Sequence, residues 1–352
     1  MTNLGFWKTI YEKAKAEGRP LFVLAPMADV TDCAFRKVIN KYGKPDVLWT
    51  EFVSADGLIR ATPEGKSKLM RDLIFEKGEH PIVAQLFSSH PEYMEQASRL
   101  VASLGYDGID INMGCPDKSI EKQGCGSAMI KTPAVAQEVI RAAMAGAPGL
   151  PITVKTRIGY NKNELETWLP ALLETEPAVI TIHARTRKEM SKVPARWEHV
   201  KRTTEIRDEF FINKYGEEAA EKMDKTLIFG NGDALSVADG YEKAKSANAD
   251  GVMLGRAIFG NPWLFSALDP ACFAKDMSQH EPTMHERLTV LKEHTSEFEK
   301  TLGDIKNFAI MKKHFKAYVK GFDGANELRL ELMEKGNSAG EVGEIIDRHL
   351  GV

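Results

Sequence analysis

Gly108-Ile109-Asp110-Ile111-Asn112-Met113-Gly114-Cys115-Pro116 is the stretch on which the fold turns. Small or apolar side chains alternate with polar ones from Gly108 to Asn112, as in a half-polar barrel strand, and Tyr106-Asp107 leads in. Gly114 lets the backbone leave the strand sharply. Pro116 holds Cys115 out of helical geometry. A thiol at the C-terminal mouth of a parallel strand stands where α/β barrels carry their chemistry. A lone cysteine is by itself more readily a small buried hydrophobe, so the rest of the chain has to decide.

Outward from this strand, apolar runs alternate with helical patterns. The other runs are Leu21 to Ala25, Val47 to Phe52, Ile82 to Phe87, Ile152 to Lys155, Ala178 to His183, Leu227 to Gly230 and Gly251 to Leu254. A helix is expected to be capped near Thr31, and His90-Pro91-Glu92 opens another. Eight strands with intervening helices predict an α/β fold of the (β/α)₈ TIM-barrel type. A doubly wound open sheet is the competing fold. It would carry a Gly-rich loop after its first strand, where this chain has Ala25-Pro26-Met27-Ala28. The segment Glu198 to Lys225 is long for its slot and charged. It reads as an extended surface helix, with partner docking as the sharper alternative to a solvated face.

After Phe265 the pattern changes. Asp269-Pro270 and Glu281-Pro282 break the chain. Helical patterns then cover Met284–Thr301, Asp304–Lys320, Ala325–Lys335 and Ser338–Leu350. The division expected is a barrel over residues 1–268 and a small helical bundle over 269–352. The 304–320 pattern carries Lys306, Lys312, Lys313, Lys316 and Lys320 with His314, Phe315 and Tyr318 between them. Such a run is a solvated face or a surface for an RNA backbone, and the phenylalanine is expected to face the core.

Composition sets bounds. A hydrophobic content of 43% over 352 residues is ample for a core, and the net charge of −3 gives no global attraction to nucleic acid. Four cysteines without a CxxC pair argue against a disulfide scaffold or zinc ribbon and suit a reducing, cytoplasmic setting. Phe6, Trp7, Ile10 and Tyr11 give the N-terminus an amphipathic cap rather than a signal peptide. No apolar run approaches the length of a membrane span.

If the barrel holds, the strand ends form its active face: Pro26 and Met27, Glu51, Gln85, Asn112 and Cys115, Lys155 and Arg157, His183 and Arg185, Asn231-Gly232-Asp233, and Gly255-Arg256. The last two, at strands seven and eight, suit a phosphate, because glycine lets backbone N–H groups approach its oxygens and Arg256 adds charge. Lys155 points into the mouth, where its burial calls for an anion. The N1/O2 edge of a reduced flavin would supply one. A salt bridge to a neighbouring carboxylate is the plainer alternative. Gln85 could bond the same edge, and Met27 could lie against a ring. His183 could donate to ring or phosphate or be a satisfied core residue.

The pattern resembles the tRNA-dihydrouridine synthase family. The matching stretches are Leu24-Ala25-Pro26-Met27-Ala28-Asp29-Val30-Thr31-Asp32, Ala84-Gln85-Leu86-Phe87, Asp110 to Pro116, Gly124-Cys125-Gly126-Ser127-Ala128-Met129, Val154-Lys155-Thr156-Arg157, His183-Ala184-Arg185-Thr186, Asn231-Gly232-Asp233 and Gly255-Arg256. Their order agrees over nearly the whole chain, and Lys312-Lys313-His314-Phe315 with Tyr318 looks like the family's tRNA-binding tail. The resemblance implies an FMN enzyme reduced by NADPH, which takes one uridine of a tRNA flipped into the barrel mouth. Hydride would go to C6 and a proton from Cys115 to C5. By the same carry-over Pro26, Met27, Ala28, Gln85, Lys155 and His183 would hold the isoalloxazine, and Asn231, Gly232, Asp233, Gly255 and Arg256 the phosphate end. Asn112, Arg185, Lys312, Lys313 and Tyr318 would contact the substrate. No metal, no membrane and a monomer are expected.

There are two departures. Many members carry a lysine four residues after the cysteine, where this chain has Ser119, with Lys118 one earlier. The segment Glu198 to Lys225 is longer than the family leads one to expect, and would alter the tRNA footprint. A free-pyrimidine reductase would use the same barrel and thiol but needs no lysine-bearing tail. An RNA-binding module without redox activity would not need Cys115, Lys155 and both phosphate loops together.

Overall fold

A computed structural model describes residues 2–273, 277 and 280–352. The chain opens with α1 (Phe6–Ala16), β1 (Leu21–Leu24), α2 (Cys33–Tyr42), β2 (Leu48–Ser54), α3 (Ala55–Arg60) and α4 (Pro63–Arg71). It continues through β3 (Ile82–Phe87), α5 (Pro91–Ser103), β4 (Gly108–Met113), α6 (Lys118–Glu121), α7 (Pro133–Gly146), β5 (Ile152–Arg157) and α8 (Leu165–Leu173). Then come β6 (Val179–His183), α9 (Glu198–Tyr215), α10 (Glu217–Lys222), β7 (Leu227–Asn231), α11 (Val237–Ala247) and β8 (Gly251–Leu254). The remaining helices are α12 (Pro270–Phe273), α13 (Met284–Leu302), α14 (Lys312–Tyr318), α15 (Ala325–Lys335) and α16 (Ala339–Leu350).

The strands are all parallel and pair in the order β1-β8-β7-β6-β5-β4-β3-β2. A parallel bridge between Val23 and Val47 joins β1 to the approach of β2 and closes the ring into the expected TIM barrel. The ladder register sets Asn112 beside Lys155, and Arg157 beside His183 and then Asn231, so polar side chains collect at one end. The other end is stoppered. Trp7 of α1 is fully buried, its ring 5.6 Å from Trp49 and 5.5 Å from Phe229 in the barrel interior.

The helix after β1 is capped by Asp32, whose carboxylate accepts from the Phe35 N–H at 2.9 Å, one residue beyond Thr31. The stretch from Glu198 to Lys225 is not one extended surface helix. Gly216, at φ +84°, ends α9 and starts α10. Val200, Ile206, Phe211 and Ala220 face the core, so this is the barrel's helix between β6 and β7 with one turn added. The lysine-rich stretch from Asp304 to Lys320 is likewise broken, into a 3₁₀ turn at Phe308–Met311 and α14.

The C-terminal helices pack on the barrel through α2. Phe35 stacks on His294 of α13, with ring centroids 4.6 Å apart. Leu288, Leu291, Phe298, Phe315 and Tyr318 belong to the same continuous core as the barrel's helix layer. Ion pairs rim this seam: Lys37 to Glu297 at 2.8 Å, Lys41 to Glu293 at 2.7 Å and Arg71 to Asp304 at 2.9 Å. The expected boundary after residue 268 falls just before α12.

Candidate active site

A pocket of about 590 Å³ opens at the C-terminal ends of the strands. Of the residues singled out from the sequence, it brings together Pro26, Met27, Ala28, Asn112, Cys115, Lys155, Arg157, His183, Arg185, Asn231, Gly232, Asp233, Gly255 and Arg256.

The thiol is placed by its own strand end. The Asn112 side-chain oxygen accepts from the N–H groups of Gly114 at 3.1 Å and Cys115 at 2.9 Å, folding the backbone back as β4 ends. The Asn112 amide donates to Gln85 Oε1 at 2.9 Å, and Gln85 Nε2 donates to Asp110 at 2.6 Å. Gln85 is therefore fully buried behind the wall, as the support of Asn112, and not on the pocket surface. On the far side, Ser127 donates to the Cys115 carbonyl from both its N–H and its hydroxyl, each at 2.9 Å. Gly126, at φ +60°, allows this approach. A Cβ there would sit 2.6 Å from the Cys115 carbonyl oxygen. Glu121 accepts from Arg187 Nε at 2.8 Å, with its Oε1 3.0 Å from Ser127 Oγ, clipping the loop to the one after β6. Burial pushes the Cys115 thiol above its ordinary range, with the nearby Lys155 and Arg157 charges only partly offsetting it. The group is a thiol at neutral pH.

The pocket is cationic. Lys155 forms no ion pair among the described residues; its ammonium lies 3.4 Å from Asn231 Oδ1. Burial, reinforced by Arg157, pulls it down to about 8. The salt bridge to a carboxylate, the plainer alternative for this lysine, is absent among the described residues. Arg157 donates to three carbonyls, Gly114 at 2.8 Å, Thr186 at 3.2 Å and Met190 at 3.1 Å, and burial lowers it to about 10. His183 is held neutral, mainly by burial and then by the neighbouring cations. Asp233 is held below the usual carboxylate range, first by its bond to Arg185. It also pairs with Arg256 at 2.7 Å and accepts from the Ala195 N–H at 2.8 Å. Gly232, at φ +120°, completes the turn, and a Cβ there would sit 2.8 Å from that of Ala195.

Sequence reasoning missed several of these residues. Arg157 was legible as a strand-end charge without a role. Phe52, Ser191 and Leu235 also line the pocket. Glu121 and Arg187 meet between two loops, and no local pattern carries that contact. Arg185 differs from the expected free substrate contact: it is buried, donating to the Val193 carbonyl at 2.6 Å and meeting His183 Nε2 at 3.0 Å.

In the tail, Lys313 reaches the barrel mouth and pairs with Asp29 at 3.3 Å. Lys312 bonds the Met333 carbonyl at 2.8 Å and Asn337 Oδ1 at 2.9 Å. Tyr318 requires correction. It is fully buried, because His314, Phe315 and Tyr318 share the face of α14 that packs inward, so it presents no surface to a substrate. Among the described residues, no group of three or more His, Cys, Asp or Glu side chains could hold a metal ion, and no helix is long and apolar enough to cross a membrane.

Comparison with known proteins agrees with this geometry. The family model described as dihydrouridine synthase matches residues 23–349. A probable tRNA-dihydrouridine synthase of Staphylococcus aureus strain Mu50 is 42% identical over 317 residues, 90% of this chain and 89% of that protein. Probable tRNA-dihydrouridine synthase 2 of Bacillus subtilis strain 168 is 39% identical over 333 residues, 94% of each chain. With a family model spanning the barrel and the tail alike, the chain belongs to the dihydrouridine synthase family.

Proposed function

We propose that the chain reduces the C5–C6 double bond of a uridine in tRNA, with FMN as cofactor and NADPH as reductant. The observation that carries this reading is the sharing of one pocket by the protonated thiol of Cys115 and the unpaired buried cation of Lys155. Likeness to proteins named as probable tRNA-dihydrouridine synthases, over 90% of the chain or more, supports tRNA as substrate.

The residues fit a flavin. Lys155 and Arg157 are buried cations without carboxylate ion pairs among the described residues, so the pocket favours an anionic guest. Gly232 and Gly255 keep the β7 and β8 loops free of side chains where a phosphate would approach, and Arg256 stands exposed beside them. Pro26, Met27, Ala28, Lys155 and His183 would hold the ring, and Asn231, Gly232, Asp233, Gly255 and Arg256 the phosphate end. When bound, the flavin supplies the hydride that reaches C6 of the uracil.

The protein does the rest. Cys115 hands its thiol proton to C5, and its raised pKa keeps that proton available at neutral pH. Asn112 holds the thiol at the pocket through two backbone N–H groups. A uridine can enter only after leaving its stack. Lys312 and Lys313 supply charge for the RNA backbone at the rim. The test is to incubate the protein with FMN, NADPH and tRNA lacking dihydrouridine, and to examine nuclease fragments by mass spectrometry. A gain of two hydrogen atoms at one uridine is expected. No gain in protein that binds FMN would reject tRNA as the substrate.

A further inference from the structure

The wall that faces the flavin in this reading, Pro26-Met27-Ala28, is a half-buried loop between β1 and α2, and its tip is held from the C-terminal helices. Asp29 sits at φ +52°, in the left-handed region that non-glycine residues seldom adopt. Its N–H donates to one carboxylate oxygen of Glu51, at the mouth of β2. The other Glu51 oxygen takes the ammonium of Lys306 at 2.8 Å. Lys306 comes from the connection between α13 and α14 and also pairs with Asp72 at 2.9 Å. Glu51 is 5% exposed and does not line the pocket.

A carboxylate buried this deeply needs a reason to be there. Its one backbone bond in the loop goes to the strained residue, next to the three residues of the wall. We propose that Glu51 is a positioning residue for the cofactor pocket, fixing the Pro26–Ala28 wall through the Asp29 backbone, and that Lys306 holds Glu51 in place from the helical tail. The helices that carry the RNA-binding lysines thereby also shape the wall of the pocket, and Lys313, paired with the Asp29 side chain, adds a second tie.

The charges facing Glu51 are Lys306 from the tail, Asp32 at the start of α2 and Asp72 at the end of α4. Burial and the two aspartates push its carboxyl up to about 7 against the pull of Lys306. At about 7 the carboxyl is already partly protonated at neutral pH, and loss of Lys306 would shift it further toward the neutral form.

The binding readout rests on the flavin reading above; the exchange readout does not. Hydrogen exchange of peptides covering residues 25–31 and FMN affinity by flavin fluorescence would be followed in wild type, Glu51→Gln, Lys306→Met and Lys306→Arg. Each is compared with wild type at the same pH, from 7 to 9. Glu51→Gln should speed exchange at Asp29 and weaken FMN about tenfold at pH 9, where wild-type Glu51 is ionised, the loss of roughly one charge-assisted hydrogen bond, and less at pH 7. Lys306→Met should shift both readouts in the same direction as Glu51→Gln, and Lys306→Arg should restore both. Unchanged exchange in Glu51→Gln would overturn the proposal. So would faster exchange with unaltered FMN affinity. Faster exchange in a protein whose wild type binds no FMN would reject the flavin reading while supporting the tie between loop and tail.

Discussion

At the scale of single residues, Cys115 is kept protonated and Lys155 is kept wanting an anion, and each makes a prediction. Cys115→Ala should retain FMN and tRNA binding but lose at least about a hundredfold in turnover, the contribution of a positioned general acid. Single-turnover oxidation of reduced enzyme by tRNA is the measurement, and an undiminished rate would remove the thiol from its role. The pocket charge makes a pH prediction. With Lys155 near 8, a rise in pH through that value neutralises it, so affinity for an anionic flavin should fall from pH 7 to pH 9. Lys155→Met should bind FMN more weakly and lose that dependence, readable as the pH course of the dissociation constant. These two residues were plain from the sequence, since a strand-end lysine and a thiol between glycine and proline are local signals. What was not legible is why they sit as they do. Asn112 bonding forward to Cys115, Gln85 lying behind it, and the Glu121–Arg187 clip all depend on neighbours that folding brings from other strands.

At the scale of elements, strand positions followed from apolar runs bounded by glycine, proline and polar residues, and they lie within about two residues of the expected places. Three tail helices, Met284–Leu302, Ala325–Lys335 and Ala339–Leu350, also end within one residue of the expected places, and the lysine-rich one does not. Whether the stretch from Asp304 to Lys320 is one helix or a 3₁₀ turn plus α14 is decided by packing on α2, and a count of lysines says nothing of which face is buried. Lys306 counts as a surface charge in sequence and is a half-buried anchor in the fold. Lys312 and Lys313, both more exposed than Lys306, give a sharper prediction. Lys312→Glu with Lys313→Glu should weaken tRNA binding and reduce the slope of log affinity against log salt by about two, one for each lost phosphate contact. An unchanged slope, from filter binding at several salt concentrations, would place the RNA elsewhere. α1 gives a stability prediction. Trp7→Ala opens a hole in the barrel floor between Trp49 and Phe229 and should cost roughly 3–5 kcal/mol, measured by urea titration.

At the scale of the whole molecule, the seam between α2 and the tail holds an acid-sensitive weakness. His294 and His314 are fully buried with ring centroids 4.6 Å apart, against Phe35 and Tyr318. Burial lowers both, His314 to about 4 with help from the Lys313 charge and His294 well below its ordinary value. In the unfolded chain both titrate near 6.5. Between those limits the unfolded state binds more protons than the folded one, so stability rises with pH there. The stabilisation is present above about pH 6.5 and drains away as the pH falls toward 4, by roughly 1.4 kcal/mol per pH unit for each histidine. Urea unfolding followed from pH 7.5 to 5 in wild type and in His314→Phe, an apolar ring for an apolar site, isolates one histidine's share as the difference between the two courses, and that difference should grow by about 1.4 kcal/mol per pH unit below pH 6.5. Because α13 and α14 share their core with the barrel's helix layer, barrel and tail should lose stability together. A tail that melts separately at pH 5, while near-ultraviolet dichroism of the barrel tryptophans persists, would show the seam to be weaker than its continuous core implies.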